Sequence, residues 1–228
     1  MIITIDGPAG TGKSTVARRL AEELGWSCLD TGAMYRACAL LSLQAGISPD
    51  NGPAMAAALD RVRLGFDFAA SPPRLYLNDE DVTDRVRDTD VAGVVSIVAQ
   101  QSEVRSVLIR QQRQIASEHP KLVTEGRDQG SVVFPDAILR FYLDASPEIR
   151  ARRRADQMAR AGRPVDLQEV LAQIEQRDEL DSTRVDGPLI CPEGAIRIDT
   201  TDASIEQVVA MLVEHADSRL QDSGEPGC

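Results

Sequence analysis

The sequence is poor in aromatic residues and in positive charge, and both shortages limit what the protein can bind. Phe, Trp and Tyr make up 4% of its 228 residues, and 36 acidic residues against 25 basic ones give a net charge of −11. Non-specific nucleic-acid binding needs clustered Lys and Arg, and base stacking needs aromatic rings. We therefore expect no nucleic-acid partner, although local arginines still permit a small anionic ligand.

Long apolar runs and paired cysteines are missing as well. The chain has no apolar run of about 18 residues, so we expect no membrane span. Met1 leads directly into an apolar strand with no basic segment before it, so we expect no signal peptide. Cys28, Cys38, Cys191 and Cys228 form no CxxC pair, which argues against a disulfide framework or a zinc site. We expect reduced thiols in a cytoplasmic protein, with the first three buried as small core residues.

The rest of the chain alternates short apolar, β-branched segments with longer segments of helical periodicity. The predicted strands are residues 1–6, 27–30, 121–124, 138–143 and 195–198. The predicted helices are residues 14–24, 33–44, 91–119, 147–161, 167–180 and 204–219. This alternation predicts an α/β fold in which a parallel sheet is covered by helices on both faces.

Residues 60–90 break the alternation. In RVRLGFDF, apolar side chains alternate with polar residues or glycine, and RLYLNDEDVT places two leucines on one face before a polar turn. This pattern is typical of a small antiparallel sheet with one face in water. We predict that residues 60–90 form an insert in a core made of residues 1–59 and 91–228.

Residues 7–14, GPAGTGKS, match the phosphate-binding pattern G-x-x-x-x-G-K-[ST] between a predicted strand and a predicted helix. Glycines let backbone N–H groups converge on phosphate oxygens, and the N-terminus of the following helix adds a positive dipole. Lys13 can reach the β- and γ-phosphates, and the Ser14 hydroxyl can bind Mg²⁺. The loop predicts a nucleoside triphosphate site, but it does not decide whether the phosphoryl group passes to water or to an acceptor.

Two further loops follow predicted strands, where open α/β sheets bind their ligands. In LDTGAMYR, Thr31 and Arg36 lie about one helical turn apart and can serve one site, although a capped helix with a surface arginine has the same sequence. In TEGRDQGSVVFPDA, Arg127 and Asp128 can bind an anion and a base or ribose group. A solvated turn with a local ion pair is the alternative for this second loop.

Two arginine-rich segments complete the candidate acceptor site. RDELDSTR places three charged side chains on one helical face, which fits either a phosphate clamp or a surface salt bridge: Arg177, Asp181 and Arg184. A predicted lid at residues 147–164 crowds further arginines into a few helical turns: Arg150, Arg152, Arg153, Arg154, Arg160 and Arg163. Arginine stabilises charge on a transferring phosphoryl group, although a solvated helix face is the alternative.

The motifs GPAGTGKST, LDTGAMYRA, EGRDQGSVVFPDA and RDELDSTR, followed by Pro188-Leu189, resemble those of the bacterial cytidylate kinases in order and spacing. The resemblance covers nearly the whole chain, and residues 60–90 look like that family's extra nucleotide-monophosphate subdomain. It implies a P-loop kinase that uses Mg²⁺ and transfers the γ-phosphoryl group of ATP to CMP or dCMP in pyrimidine nucleotide metabolism. It also implies a cytoplasmic monomer with small-molecule substrates.

The resemblance assigns roles to individual residues. The ATP-binding positions are Gly7, Pro8, Ala9, Gly10, Thr11, Gly12, Lys13, Ser14 and Thr15. The CMP-binding positions are Thr31, Arg36, Ser96, Arg105, Arg127, Asp128, Arg177, Asp181 and Arg184. The catalytic candidates are Lys13, Arg127 and Arg154. Ser14 is the expected metal ligand, and either Glu125 or Asp30 would hold the water shell of the metal.

The residues alone leave other functions open. A P-loop kinase could act on UMP or on a non-nucleotide acceptor such as shikimate or gluconate. A nucleotide switch normally carries N-K-x-D, which this chain lacks. Asp128 and Asp181 are candidate acceptors for the 4-amino group of cytosine, because a carboxylate disfavours the uracil carbonyl. Since the acceptor is an ionised phosphate oxygen, we expect positioning and charge stabilisation to suffice without a strong general base.

Overall fold

The computed structural model describes residues 1–160, 162–163 and 165–222. The chain divides into two compact units. Unit 1 comprises residues 1–26 and the described part of residues 121–228, and unit 2 comprises residues 27–120. Within the described ranges, no helix is both long enough and apolar enough to cross a membrane.

The helices and strands follow the predicted alternation. The strands are β1 (Ile2–Asp6), β2 (Ser27–Asp30), β3 (Leu64–Asp67), β4 (Arg74–Leu77), β5 (Glu80–Asp81), β6 (Leu122–Gly126), β7 (Leu139–Asp144) and β8 (Ile196–Asp199). The helices are α1 (Lys13–Leu24), α2 (Thr31–Ala45), α3 (Gly52–Leu59), α4 (Thr89–Val98), α5 (Ser102–Glu118), α6 (Pro147–Arg160), α7 (Leu167–Thr183) and α8 (Ile205–Asp222). A 3₁₀ turn spans Arg85–Arg87, and a π-helical turn spans Gln129–Val133.

In unit 1, four strands lie side by side in the order β6, β1, β7, β8, and all of these pairs are parallel. Asp6 at the end of β1 pairs in register with Gly126 at the end of β6. Ile3 and Ile5 on one face of β1 and Thr4 on the other are fully buried, as expected for a strand covered on both faces. Because parallel strands end at the same edge, the loops that follow β1 and β6 lie next to each other.

Glycine allows β1 to turn into α1. A Cβ at Gly7 would overlap the Leu143 carbonyl oxygen, and φ at Gly7 is +147°. Helix α1 then buries Val16, Leu20 and Leu24 at a spacing of four residues, and Gly25 ends it in a left-handed conformation. The strand–loop–helix context predicted for the phosphate-binding motif is therefore present.

Helices α6 and α7 pack against each other in unit 1. Ala151 of α6 and Val170 and Ile174 of α7 form a small buried cluster. The Asp166 carboxylate caps the start of α7 by accepting the N–H of Gln168 at 2.6 Å. This packing places the arginine-rich helix beside the helix that carries the RDELDSTR motif.

Unit 2 contains helices and the predicted small sheet. Strands β3, β4 and β5 form an antiparallel sheet in that order, with Leu64 opposite Leu77 and Tyr76 opposite Asp81. The α/β class, the parallel sheet and the small antiparallel sheet are thus confirmed. The boundaries at residues 60 and 90 stay a prediction.

Two features of unit 2 differ from the prediction. Residues 91–119 are wrong as a single helix, because α4 ends at Val98 and α5 begins at Ser102. The extended backbone of Gln101 (φ −76°, ψ 115°) separates the two helices, and no Gly or Pro marks the break in the sequence. Helix α3 was not predicted, because its apolar, alanine-rich sequence shows no clear helical period.

The cysteines are only partly where the sequence suggested. Cys28, Cys38 and Cys191 form no disulfide with one another, and the reduced state stays a prediction. Cys38 is buried and Cys28 is half-buried, but Cys191 is exposed, so the prediction of a core position is wrong for Cys191. Cys228 lies outside the described residues.

Candidate active site

The carbonyl groups of the phosphate loop are held by side chains of the protein. The Lys13 ammonium donates to the Pro8 carbonyl at 2.7 Å, and the Thr11 hydroxyl donates to the same oxygen at 3.2 Å. Thr200 follows β8, and its hydroxyl donates to the Thr11 carbonyl at 3.3 Å. These contacts preorganise the loop, as a backbone anion site requires.

Lys13 is a buried cation beside other positive charges. Burial and the neighbouring Arg127 lower the pKa of Lys13 from 10.5 to about 7, although Glu125 and Asp6 oppose the shift. Lys13 and Arg127 both lie beyond the carboxyl ends of the adjacent parallel strands β1 and β6. An anion between them would relieve the repulsion and restore the charged form of Lys13.

Ser14 lies beside one of the two acidic residues considered for the metal. Its hydroxyl donates to Glu125 Oε1 at 2.6 Å, and Glu125 is buried at the end of β6. Asp30 lies in unit 2, where its carboxylate caps α2 by accepting the Ala33 N–H at 2.8 Å. In the described part of the chain, no group of three or more His, Cys, Asp or Glu could hold a metal ion.

Asp181 of α7 lies among three arginines. Arg127 Nε donates to Asp181 Oδ2 at 2.9 Å, and Arg177 Nε lies 3.9 Å from the same oxygen. Arg184 Nη1 lies 3.7 Å from Asp181 Oδ1, and its Nη2 lies 4.0 Å from Asp128 Oδ2. Burial opposes ionisation of Asp181, but the arginines outweigh it and hold the pKa of Asp181 below its ordinary value. Five sequence-predicted residues therefore come together in unit 1.

Asp6, which the sequence analysis did not single out, lies beside the loop that carries Arg127 and Asp128. Its carboxylate accepts the N–H groups of Gln129 at 2.8 Å and Gly130 at 2.7 Å, directly after Asp128. Burial raises the pKa of Asp6 from 3.8 to about 6, and the two backbone hydrogen bonds oppose the shift. Asp6 thereby ties the end of β1 to the π-helical turn that follows Arg127 and Asp128. Its position at the carboxyl end of a buried strand was the only signal in the sequence.

The other predicted acceptor residues lie in unit 2. Thr31 is buried in the first turn of α2, whereas Arg36 of α2 and Ser96 of α4 are half-buried. Arg105 of α5 is buried, donates to the Tyr35 hydroxyl at 3.1 Å and lies 5.7 Å from the centre of the Tyr35 ring. Tyr35, which the sequence did not mark, therefore orients Arg105.

The arginines of α6 fall into two groups. Arg150 is buried and Arg153 is half-buried, and both donate to backbone carbonyls, Arg150 to Ala9 and Arg153 to Thr200. The remaining arginines of the predicted lid are exposed, namely Arg152, Arg154, Arg160 and Arg163. Arg154 donates to Gln157 Oε1 at 2.9 Å. The lid role stays a prediction, and two positions of the predicted lid, 161 and 164, lie outside the described residues.

Comparison with known proteins yields one consistent family. A family model described as cytidylate kinase matches residues 3–218. A cytidylate kinase from Caldanaerobacter subterraneus is 46% identical over 212 residues, which cover 93% of this chain and 92% of the relative. A cytidylate kinase from Mycobacterium avium is 44% identical over 93% of each chain. A cytidylate kinase from Edwardsiella ictaluri is 41% identical over 96% of this chain and 97% of the relative.

A solved structure shares the fold at low sequence identity. An uncharacterized protein from Eubacterium ventriosum superposes with a TM-score of 0.51 and is 16% identical to this chain. The superposition covers 96% of this chain and 98% of the other. At that identity, the match supports the fold alone.

Proposed function

The chain belongs to the cytidylate kinase family and is a phosphotransferase that phosphorylates CMP or dCMP with ATP, and we propose that the site described above performs this reaction. The products are ADP and CDP or dCDP. The observation that carries the assignment of the site is geometric: Ser14, next to Lys13, donates to Glu125 at 2.6 Å, and Glu125 lies two residues before Arg127 of the arginine cluster. An ATP γ-phosphoryl group and an acceptor phosphate would both lie between these cations.

ATP binds along the phosphate loop from Gly7 to Thr15. The backbone N–H groups of the loop and the positive end of α1 hold the phosphates. When ATP binds, the Lys13 ammonium would leave the Pro8 carbonyl and donate to the β- and γ-phosphate oxygens instead. Losing the bond to Pro8 costs little, because the phosphates stabilise the positive charge of Lys13, which burial otherwise disfavours.

Ser14 and Glu125 are the residues that would hold Mg²⁺. Both side chains offer oxygen ligands, which Mg²⁺ prefers. The Ser14 and Glu125 oxygens lie 2.6 Å apart, close enough to bind one ion. A site with so few protein ligands suits Mg²⁺, which keeps several waters and binds substrate phosphates. When bound, Mg²⁺ neutralises charge on the β- and γ-phosphate oxygens.

The acceptor binds at the cluster around Asp181. We assign the arginines to the acceptor phosphate and ribose, and Asp128 and Asp181 to the 4-amino group of cytosine. Thr31, Arg36, Ser96 and Arg105, which lie in unit 2, stay predicted acceptor-binding residues. Arg154 contacts the transferred phosphoryl group from α6. The ionised acceptor oxygen attacks in line, so no residue needs to remove a proton.

We also propose the metal requirement, the oligomeric state, the location and the partners of the enzyme. The enzyme requires Mg²⁺, works as a monomer in the cytoplasm, and binds neither nucleic acid nor membrane. The substrates are small and anionic, which suits a local cation cluster in an acidic chain of charge −11.

An acceptor panel tests the proposed reaction. ADP release from ATP–Mg²⁺ is measured without acceptor and then with CMP, dCMP, UMP, AMP, GMP or shikimate. We expect strong stimulation by CMP and dCMP only. Slow ATP turnover that no acceptor stimulates would leave the phosphate loop as an ATP site and refute the acceptor assignment.

An Asp181 variant tests the acceptor cluster itself. Asp181→Asn keeps the shape of the side chain but leaves Arg127, Arg177 and Arg184 without their shared carboxylate. We expect kcat/KM for CMP to fall by roughly 30- to 100-fold, since lost buried charge-assisted bonds cost about 2–3 kcal/mol. The KM for ATP should change much less, and unaltered CMP kinetics would remove Asp181 from the site.

A further inference from the structure

Arg150, at the start of α6, is a buried cation that the proposed reaction does not use. Its side chain is 5% exposed. Its Nε donates to the Ala145 carbonyl at 2.9 Å, and its Nη1 donates to the Ala9 carbonyl at 3.1 Å and to Asp178 Oδ2 at 2.5 Å. The planar fork of a guanidinium can serve several acceptors at once, which a lysine ammonium cannot do in this geometry.

The phosphate loop packs directly on this residue. A Cβ at Gly10 would lie 3.0 Å from Arg150 Cβ and 3.2 Å from the Arg150 carbonyl oxygen. The backbone of the loop therefore approaches α6 as closely as glycine permits. Ala9 and Gly10 are held from the protein side by one residue of α6.

The bond to the Ala9 carbonyl also sets the direction of an amide group. In a planar trans peptide, the C=O of one residue and the N–H of the next point in opposite directions. When Arg150 holds the Ala9 carbonyl on the protein side, the Gly10 N–H points away from Arg150. Backbone N–H groups of this loop are the donors that a phosphate needs.

Asp178 connects Arg150 to the acceptor helix. Asp178 directly follows Arg177 on α7 and precedes Asp181 by less than one turn. Its side chain is 20% exposed, and it is the carboxylate paired with the buried guanidinium. A buried arginine without such a partner is costly, so Asp178 keeps Arg150 in place.

We propose that Arg150 and Asp178 are positioning residues of the phosphate loop, which link the Ala9–Gly10 peptide to the helix that carries Arg177 and Asp181. The proposal rests on the proposed function for the role of α7 in acceptor binding. Its effect on ATP is independent of the acceptor. Asp178 acts through Arg150, and Arg150 acts through the peptide that it orients.

Binding of ATP–Mg²⁺ without acceptor, measured by calorimetry, tests the proposal. The variants are Arg150→Lys, Asp178→Asn and the double variant. We expect each single variant to weaken ATP binding about tenfold, which corresponds to about 1.4 kcal/mol. Because both residues act through one peptide, the double variant should bind no more weakly than the weaker single variant. In steady-state kinetics, the KM for ATP should rise while the KM for CMP changes little.

Glu206→Gln is the matched control. Glu206 pairs with Arg19 at 2.8 Å on an exposed surface of the same unit, so its loss should leave ATP affinity unchanged. ATP affinity of the Arg150 and Asp178 variants within about twofold of the wild type would overturn the proposal, as would additive effects in the double variant. If Arg150→Lys does not fold, Asp178→Asn with unchanged ATP affinity overturns it alone. CMP stimulation of the wild type is scored separately, so the two proposals can fail independently.

Discussion

At the residue scale, two buried ionisable side chains flank the phosphate loop, and burial shifts their pKa values in opposite directions. The pKa of Lys13 is lowered to about 7, and the pKa of Asp6 is raised to about 6. In both cases the charged form is disfavoured by loss of solvent. Above about pH 7, Lys13 therefore needs an anionic ligand to stay charged, whereas the Asp6 carboxylate accepts backbone N–H groups of the protein.

The lowered pKa of Lys13 predicts proton uptake when ATP binds. At about pH 8, much of Lys13 is neutral in the free protein, and the ATP phosphates favour its charged form. Calorimetry in buffers of different ionisation enthalpy should show uptake at about pH 8 and much less at about pH 6. Lys13→Met should bind ATP more weakly and without this uptake. Equal proton uptake at both pH values would contradict the prediction.

The raised pKa of Asp6 predicts a pH-dependent stability. Between pH 3.8 and about 6, the folded protein holds a proton that the unfolded chain has released, so stability falls as pH rises through this window. The loss amounts to about 3 kcal/mol at most. Asp6→Asn cannot titrate and should remove this slope. Urea unfolding of the wild type and of Asp6→Asn at several pH values measures how the free energy of unfolding depends on pH. Parallel curves for the two proteins would show that Asp6 does not titrate in this range.

At the element scale, α6 has one set of arginines bound to the protein and one set exposed. Arg150 and Arg153 attach the helix to the phosphate loop and to the turn after β8. The exposed arginines contribute little to this attachment. A single helix can therefore be anchored at its first turns and still present cations to a ligand along the rest of its length.

Arg154 provides the test of the exposed set. Arg154→Met should reduce kcat about 100-fold or more, because arginines on a transferring phosphoryl group contribute strongly to rate. The melting temperature should hardly change, since Arg154 is exposed and donates to Gln157 of the same helix. Arg18→Met, which removes a half-buried arginine in a local pair on another helix, serves as the control. A normal kcat for Arg154→Met would assign the phosphoryl contact to another arginine.

At the scale of the whole molecule, charge is distributed unevenly. The chain carries a net charge of −11, yet Arg127, Arg177 and Arg184 surround one carboxylate in unit 1. At physiological salt, fields of exposed charges are screened within about 8 Å. The local cluster therefore governs binding of a small anion, and the overall charge governs encounters with large polyanions.

This distribution predicts discrimination against nucleic acid. Fluorescence anisotropy with labelled duplex DNA should show no binding at about 50 mM salt, where non-specific binders bind most tightly. CMP should bind under the same conditions and serves as the positive control. Salt-dependent DNA binding at micromolar protein would show that the arginines form an extended basic surface.

Much of the fold was predictable because it depends on local patterns. The strands of unit 1 lie within two residues of their predicted bounds, and α1 and α6 begin within one residue of their predicted starts at 14 and 147. The break between α4 and α5 was not predictable, since residues 99–101 contain no residue that disfavours helix strongly. Helix α3 was missed because its apolar, alanine-rich sequence shows no clear helical period, and the contacts it makes with α5 join residues distant in sequence.

The sequence by itself determined the phosphate loop, the α/β class and the family, because each depends on residue types at short, fixed spacings. Only the tertiary structure decided which partners the charged side chains meet. Arg150 resembles its neighbours on α6 in the sequence, yet it binds Ala9 and Asp178, which lie 141 and 28 residues away. Asp6 reaches amides more than a hundred residues further along the chain. Such pairings arise when distant strands and helices pack, and no local period encodes them.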